Sequence, residues 1–175
     1  MGRDSSKPRI LAAAVGLVET QGVAGITLEA VARAAGVTKG GLQYHFASKE
    51  DLLDAILEQS WRQAEVAAED ALGKTWAEAT PDERLSAFIR SSAAAEVTKA
   101  DLVLALEGAS TNAAAQRKDE FYRRWTGEGE RVLSVSQRVA LLAADGLALQ
   151  DALDGRIDAR ERGELVAAML EMISR

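Results

Sequence analysis

Thr27–Leu53 reads TLEAVARAAGVTKGGLQYHFASKEDLL, and the rest of the chain is best understood outward from it. Its apolar spacing predicts a short helix over Leu28–Ala35 and a second that begins after Thr38 and ends near His45. A long helix then starts at Lys49, capped by Ser48. Thr27 and Thr38 each place a hydroxyl oxygen where the first amides of a helix need an acceptor. At Thr27 the third position is Ala30 rather than Glu, so only half of a capping box is present. Two short helices that cross steeply need a small residue where they touch, and Ala32 is one. The turn between them needs a residue tolerant of positive φ, which Gly36 supplies. Val31, Val37 and Leu42 then point inward and fix the angle. These are the demands of a helix-turn-helix, whose second helix enters the major groove of DNA. Two short helices in an ordinary bundle would meet them too.

Upstream, a helix is predicted over Lys7–Gln21, with Pro8 allowed in its first turn and Gly22 as its stop. Downstream, the long helix runs Lys49–Leu72, with Leu53, Ile56, Leu57, Ser60 and Ala64 on its inner side. Gly73 closes it, and a loop carries Trp76 as far as Thr80. Pro81 opens a helix with Leu85, Phe88, Ile89 and Ser92 on one face. Asp101–Thr111 and Ala113–Thr126 are two further helices, interrupted at Gly127 and Gly129. Ser134 or Ser136 starts an apolar helix to Leu153, ended by Gly155. The last helix, Ala159–Ile173, spaces Leu165, Ala168, Met169, Met172 and Ile173 along one face. The expectation is an all-α chain of about nine helices. It divides into a helix-turn-helix domain over residues 1–47 and a second helical domain over 48–175.

The chain has 175 residues, enough for one or two small helical domains. It has no cysteine and a single histidine, His45, so a disulfide framework, thiolate chemistry and a His-rich metal site are excluded. No serine or carboxylate stands where it would make His45 a catalytic base. No catalytic residue, cofactor or metal is expected, and the chain does not read as an enzyme. Residues 1–50 hold six basic against four acidic side chains, a net +2 that leaves −8 for the rest of a chain of net charge −6. A mildly basic head on an acidic body orients a protein toward a polyanion. Arg3, Lys7 and Arg9 before the apolar run Ile10–Val18 imitate a signal peptide. However, Ile10, Ala14, Leu17 and Val18 share a helical face, and Glu19 follows without a small-residue cleavage site. A cytoplasmic location is expected, with no run long enough to span a membrane.

The same block resembles the DNA-binding signature of the tetracycline-repressor (TetR) family. The residues that carry the likeness are Thr27, Val31-Ala32, Ala35-Gly36-Val37, Lys39-Gly40, Leu42, Tyr44-His45-Phe46, Ser48-Lys49-Glu50 and Leu52-Leu53. The similarity covers about the first third of the chain. It implies phosphate contacts from Thr27 and Thr38, and places Lys39, Gly40, Gly41, Gln43 and Tyr44 on the recognition helix. Tyr44, His45 and Lys49 are implied to hold phosphates, while Phe46 belongs to the core. Many relatives carry an aromatic residue where this chain has Gln43. Glutamine can read adenine N6 and N7 in a bidentate fashion, or can reach only phosphate or water.

In the helix ending at Leu153, Val139, Leu142, Ala143, Gly146, Leu149 and Leu153 form one stripe, while Leu141, Ala144 and Ala148 are apolar elsewhere. A helix apolar nearly all round must be covered on two sides, by a partner subunit or by a central place in a monomer. The resemblance favours the partner, with Leu165, Met169 and Met172 of the last helix in the same homodimer interface. It also implies an effector pocket among the middle helices. Trp61, Phe88, Leu102 and Leu106 are candidate walls for it, with Phe121, Tyr122 and Trp125. Glu107, Asp145 and Gln150 are polar groups on apolar helices that could orient a ligand or satisfy one another. The partners implied are a palindromic double-stranded DNA operator, a small-molecule effector and a second copy of the chain. The function implied is repression relieved by a small apolar or amphipathic ligand.

Overall fold

The computed structural model describes residues 6–95, 97–107, 112–129, 131–153, 155 and 157–174, with backbone only at 107 and 112–115. Nine α-helices and no strand are found among them: α1 (Lys7–Gln21), α2 (Leu28–Ala34), α3 (Lys39–Gln43), α4 (Lys49–Leu72), α5 (Pro81–Ala94), α6 (Lys99–Glu107), α7 (Asn112–Thr126), α8 (Val135–Ala152) and α9 (Ala159–Ile173). A 3-10 turn, Trp76–Glu78, replaces part of the loop expected before α5. α6 begins two residues earlier than expected, and its predicted end at Thr111 lies outside the described residues. Among the described residues, no helix is long and apolar enough to cross a membrane.

Most boundaries are set by local capping. Thr80 accepts from the Glu83 amide while the Glu83 carboxylate reaches back to the Thr80 amide, with Pro81 in the first turn. Ser134 and Gln137 make the same reciprocal pair at α8, and Asp158 caps α9 by accepting from the Glu161 amide. Gln137 also donates to Asp82 at 2.9 Å, so a capping residue ties the start of α8 to that of α5.

The chain forms two compact units, Met1–Ser60 with Lys99–Ala115, and Trp61–Thr98 with Gln116–Arg175. In the first, α1 packs on α2 and α6, and α2 packs on α3. Ile10, Ala14 and Val18 of α1 are buried at i, i+4 and i+8, with Val31, Leu42, Phe46 and Leu52. Ala100 and Leu104 are the buried positions of α6, one turn apart.

In the second unit, α5, α8 and α9 pack on one another. Their core holds Leu85, Phe88 and Ile89 of α5, Ala140, Leu141, Ala144 and Leu147 of α8, and Met169 and Ile173 of α9. This corrects one expectation. Met169 is 3% exposed, turned into the chain's own core, and Met172 is partly buried against it. The inward stripe of α9 is Val166, Met169, Leu170 and Ile173, which leaves Leu165 and Ala168 facing out. Both faces of α9 are apolar, so spacing alone could not say which one the chain would cover.

Candidate functional site

The helix-turn-helix is assembled by its termini. Thr27 Oγ1 accepts from the Ala30 amide at 3.1 Å, and Thr38 Oγ1 accepts from the Gly41 amide at 3.0 Å. Between the helices, Gly36 lies at φ +62°, the left-handed region where a Cβ is costly. The Val37 amide donates to Ala32 O and the Gly36 amide to Arg33 O, a Schellman closure of α2. Arg9 of α1, which sequence reasoning did not single out, donates from one Nη to Ala35 O at 2.7 Å and to Gly36 O at 3.3 Å. It clamps the turn from outside. Leu42 is fully buried and Val37 half-buried, so they hold the angle as expected.

This framework brings the expected DNA-facing side chains to one short segment. Thr38, Lys39, Gly40, Gln43 and Tyr44 are exposed, Tyr44 to 87%, and Thr27 is exposed at the start of α2. A Cβ at Gly40 would meet nothing within 4 Å, so the backbone is open to close approach there. A Cβ at Gly41 would stand 3.1 Å from Thr38 Oγ1 and press on the cap. The two glycines therefore have different reasons.

Three of the polar groups already have protein partners. Lys39 Nζ pairs with Glu29 at 2.6 Å, which holds the Glu29 carboxyl below its usual range. His45 Nε2 is 2.9 Å from Ser6 Oγ, and its ring meets Tyr44 edge-on at 5.2 Å. Lys49 Nζ donates to Val23 O at 2.5 Å. The lysine read as a phosphate contact thus also ties α4 to the loop before α2. Glu29 and Val23 carry no signal in the sequence that would mark them as partners. Phe46 is buried, with Lys7 Nζ 5.8 Å from its ring centroid.

In the second unit, four of the seven expected wall residues meet. Phe121 packs 5.7 Å from Trp61 and 5.8 Å from Phe88, and Tyr122 packs 5.6 Å from Phe88. Burial raises the Tyr122 hydroxyl to about 12, helped by the charges of Asp145 and Glu128. Desolvation also pushes the Asp145 carboxyl up, opposed by Lys118. Gln150 is exposed, and the Glu107 side chain lies outside the described residues. Trp125 is fully buried, but its ring partner is Trp76, edge-on at 5.1 Å. Leu102 and Leu106 lie on α6. They belong to the first unit, where they stand off the Ala100–Leu104 face of α6, and Leu106 is 81% exposed.

The stripe expected on α8 is on the surface. Val139, Leu142, Leu149 and Leu153 are exposed, Leu142 to 68%, together with Ala143, Gly146 and Leu165 of α9. A Cβ at Gly146 would meet nothing within 4 Å.

Residues 10–56 match the family model described as bacterial regulatory proteins of the tetR family, and residues 82–174 match a tetracyclin repressor-like C-terminal domain. BetI of Rhizobium meliloti (strain 1021), an HTH-type transcriptional regulator, is 34% identical over 111 residues, which are 63% of this chain and 52% of that protein. The chain spans about half or less of the length of the curated relatives it matches. Solved structures align more fully. A transcriptional regulator from Aquifex aeolicus VF5 has a TM-score of 0.65 at 21% identity, covering 97% of this chain and 98% of its own. The multidrug binding protein EbrR, solved with ethidium, has a TM-score of 0.61 at 25% identity over 96% and 99%.

Proposed function

Because this chain belongs to the TetR family of bacterial regulatory proteins, we propose that it is a cytoplasmic, homodimeric repressor released from a palindromic operator by a small apolar or amphipathic ligand. TetR-family proteins are DNA-binding regulators and not enzymes, and the reading follows that activity. The observation that carries it is α3, which turns Leu42 into the core while Lys39, Gln43 and Tyr44 stand exposed beside an open backbone at Gly40. Residues 1–47 would hold the DNA, and 48–175 the effector and the dimer. Thr27, Thr38, Tyr44 and His45 are the phosphate contacts of this reading, and Gln43 is its base reader. Lys39 must leave Glu29 to serve, and Lys49 serves from beside Val23.

The exposed stripe of α8 with Leu165 is the dimer surface of the proposal. The Trp61, Phe88, Phe121 and Tyr122 rings are its effector site. EbrR binds a planar aromatic cation, and a cluster of four rings suits a ligand of comparable apolar area. The ligand acts only if it binds one of two dimer states more tightly, the state whose recognition helices no longer match successive major grooves.

A binding selection from random duplexes tests the reading. It should enrich an inverted repeat with half-site centres roughly 34–36 Å apart or a multiple of that. Gln43→Ala should alter preference at one position per half-site. Selection without a palindrome, with affinity insensitive to salt, overturns the DNA-binding role.

A further inference from the structure

A cavity of about 760 Å³ opens in the second unit between the 3-10 turn, the start of α5 and the end of α7. Its wall includes Trp76, Arg84, Arg123, Arg124, Trp125 and Arg131, while none of Trp61, Phe88, Phe121 and Tyr122 lines it. Two guanidiniums stack on Trp76, Arg84 at 4.0 Å and Arg124 at 4.6 Å from the ring centroid. Their positions are held by the aromatic face before any ligand arrives.

Three buried side-chain nitrogens among the described residues have no acceptor: Arg84 Nε, Trp125 Nε1 and Arg131 Nε. All three belong to this one wall. Burying an N–H without a partner is costly, and folded proteins leave few such groups. Apart from the exposed Glu120 carboxylate, the acidic side chains nearby are already engaged. Asp82 takes Arg131 at 2.5 Å and Gln137 at 2.9 Å, Asp119 takes Arg123 at 2.8 Å, and Glu128 takes Arg138 at 3.2 Å. Glu65 pairs with Arg124, and the Trp76 carbonyl accepts from Arg84 at 2.8 Å. What the three buried N–H groups lack is acceptor atoms, and a ligand that brings them is the direct remedy.

Charge narrows the class. Of the four arginines of the wall, Arg123 pairs with Asp119, Arg124 with Glu65 and Arg131 with Asp82, which leaves Arg84 as the guanidinium with no carboxylate partner among the described residues. One carboxylate neutralises it, whereas a phosphate dianion overshoots. The indole of Trp76 favours a ligand with an apolar body over a bare inorganic ion.

We propose that this cavity is a second ligand site, separate from the aromatic cluster, which takes a small organic monocarboxylate whose oxygens accept from the orphaned Arg84, Arg131 and Trp125 N–H groups. The donor atoms are buried within side chains of the wall, so binding parts the side chains that cover them and makes these hydrogen bonds in a dry setting, where charge-assisted bonds are strong.

Calorimetric titration of the full-length protein with benzoate, hexanoate, benzamide and inorganic phosphate tests this. Benzoate and hexanoate should saturate with Kd below about 1 mM, and benzamide and phosphate should bind at least about tenfold more weakly. Arg84→Gln and Arg131→Gln should each weaken benzoate about tenfold. Arg84→Lys, which keeps the charge and loses the Nε donor, should not restore it. Phe121→Ala should leave benzoate binding unchanged, so failure here is distinct from failure of the effector site proposed above. If the Arg131 variant does not fold, as judged by circular dichroism, Arg84→Gln decides. Absence of saturable carboxylate binding, equal binding of benzamide or phosphate, or unaltered binding to Arg84→Gln would each overturn the proposal.

Discussion

α3 and α8 use their surfaces in opposite ways. α3 is five residues long, buries its single leucine, Leu42, and leaves polar side chains and bare backbone outside. α8 is 18 residues long and has already filled its inner face with Ala140, Leu141, Ala144 and Leu147, yet it still exposes Leu142 and Leu149. The first surface offers hydrogen bonds and positive charge, which suit a polyanion. The second offers apolar area that water solvates poorly, which suits another protein surface. A helix held by few local contacts must borrow its rigidity from neighbours, as α3 does through the Thr38 cap, the buried Leu42 and the turn braced by Arg9. A long capped helix can hold itself and present a face.

The largest effect expected from breaking this contrast is at Leu42. Leu42→Ala should cost the first unit about 2–5 kcal/mol through lost burial and the cavity left behind. All three tryptophans, Trp61, Trp76 and Trp125, belong to the second unit. In denaturant, helical circular dichroism should therefore fall in part before tryptophan emission changes, and DNA binding should be lost. Coincident transitions would show that the two units unfold as one.

Gly146→Leu addresses the other side of the contrast. Among the described residues nothing lies within 4 Å of a Cβ at this position, and replacing a mid-helix glycine should stabilise α8 by up to about 1 kcal/mol. Any harm must come from a partner. Sedimentation should show a shift toward monomer, with operator binding weakened because one half-site forgoes the avidity of two. A variant that remains dimeric with normal DNA affinity would place the interface elsewhere.

A smaller effect is expected at Glu29, whose carboxylate holds Lys39. Glu29→Gln should raise affinity for any duplex a few-fold and steepen its salt dependence, because Lys39 is freed for phosphate and a like charge is removed from the DNA side. Fluorescence anisotropy across a salt series reads both. Unchanged affinity would mean that Lys39 does not reach DNA.

The smallest effect appears only in alkali. The fold favours the neutral Tyr122 phenol, whose value is raised to about 12 from an ordinary 10. Its contribution to stability is therefore complete below pH 10 and is lost as pH rises toward 12. In a Tyr44→Phe protein, phenolate absorbance should develop near pH 12. Development near pH 10 would show that the Tyr122 hydroxyl is solvated. Tyr122→Phe should remove that part of the alkaline instability.

Local chemistry was legible in the sequence, and tertiary choice was not. α1, α4 and α9 begin and end where proline, serine, glycine and the apolar period place them, because capping acts over three or four residues. The positive φ at Gly36 follows in the same way. Met169 was misplaced because Val166, Met169, Leu170 and Ile173 compete with an equally apolar face containing Leu165 and Ala168. Only the positions of α5 and α8 resolve that competition. Arg9, Glu29 and Val23 act across 10 to 27 positions of chain, where spacing carries no message.

The Arg9 clamp also bears on how this protein can be re-engineered. Residues 27–46 look self-sufficient, since they contain both helices, both caps and the turn. Yet two carbonyls of the turn, Ala35 O and Gly36 O, are held by a guanidinium 26 and 27 residues upstream. A recognition segment transplanted from another regulator would arrive without that brace unless its turn carbonyls fell within reach of Arg9. Retargeting the protein to a new sequence should therefore succeed more readily by exchanging Lys39, Gln43 and Tyr44 singly on the native frame than by swapping the segment whole.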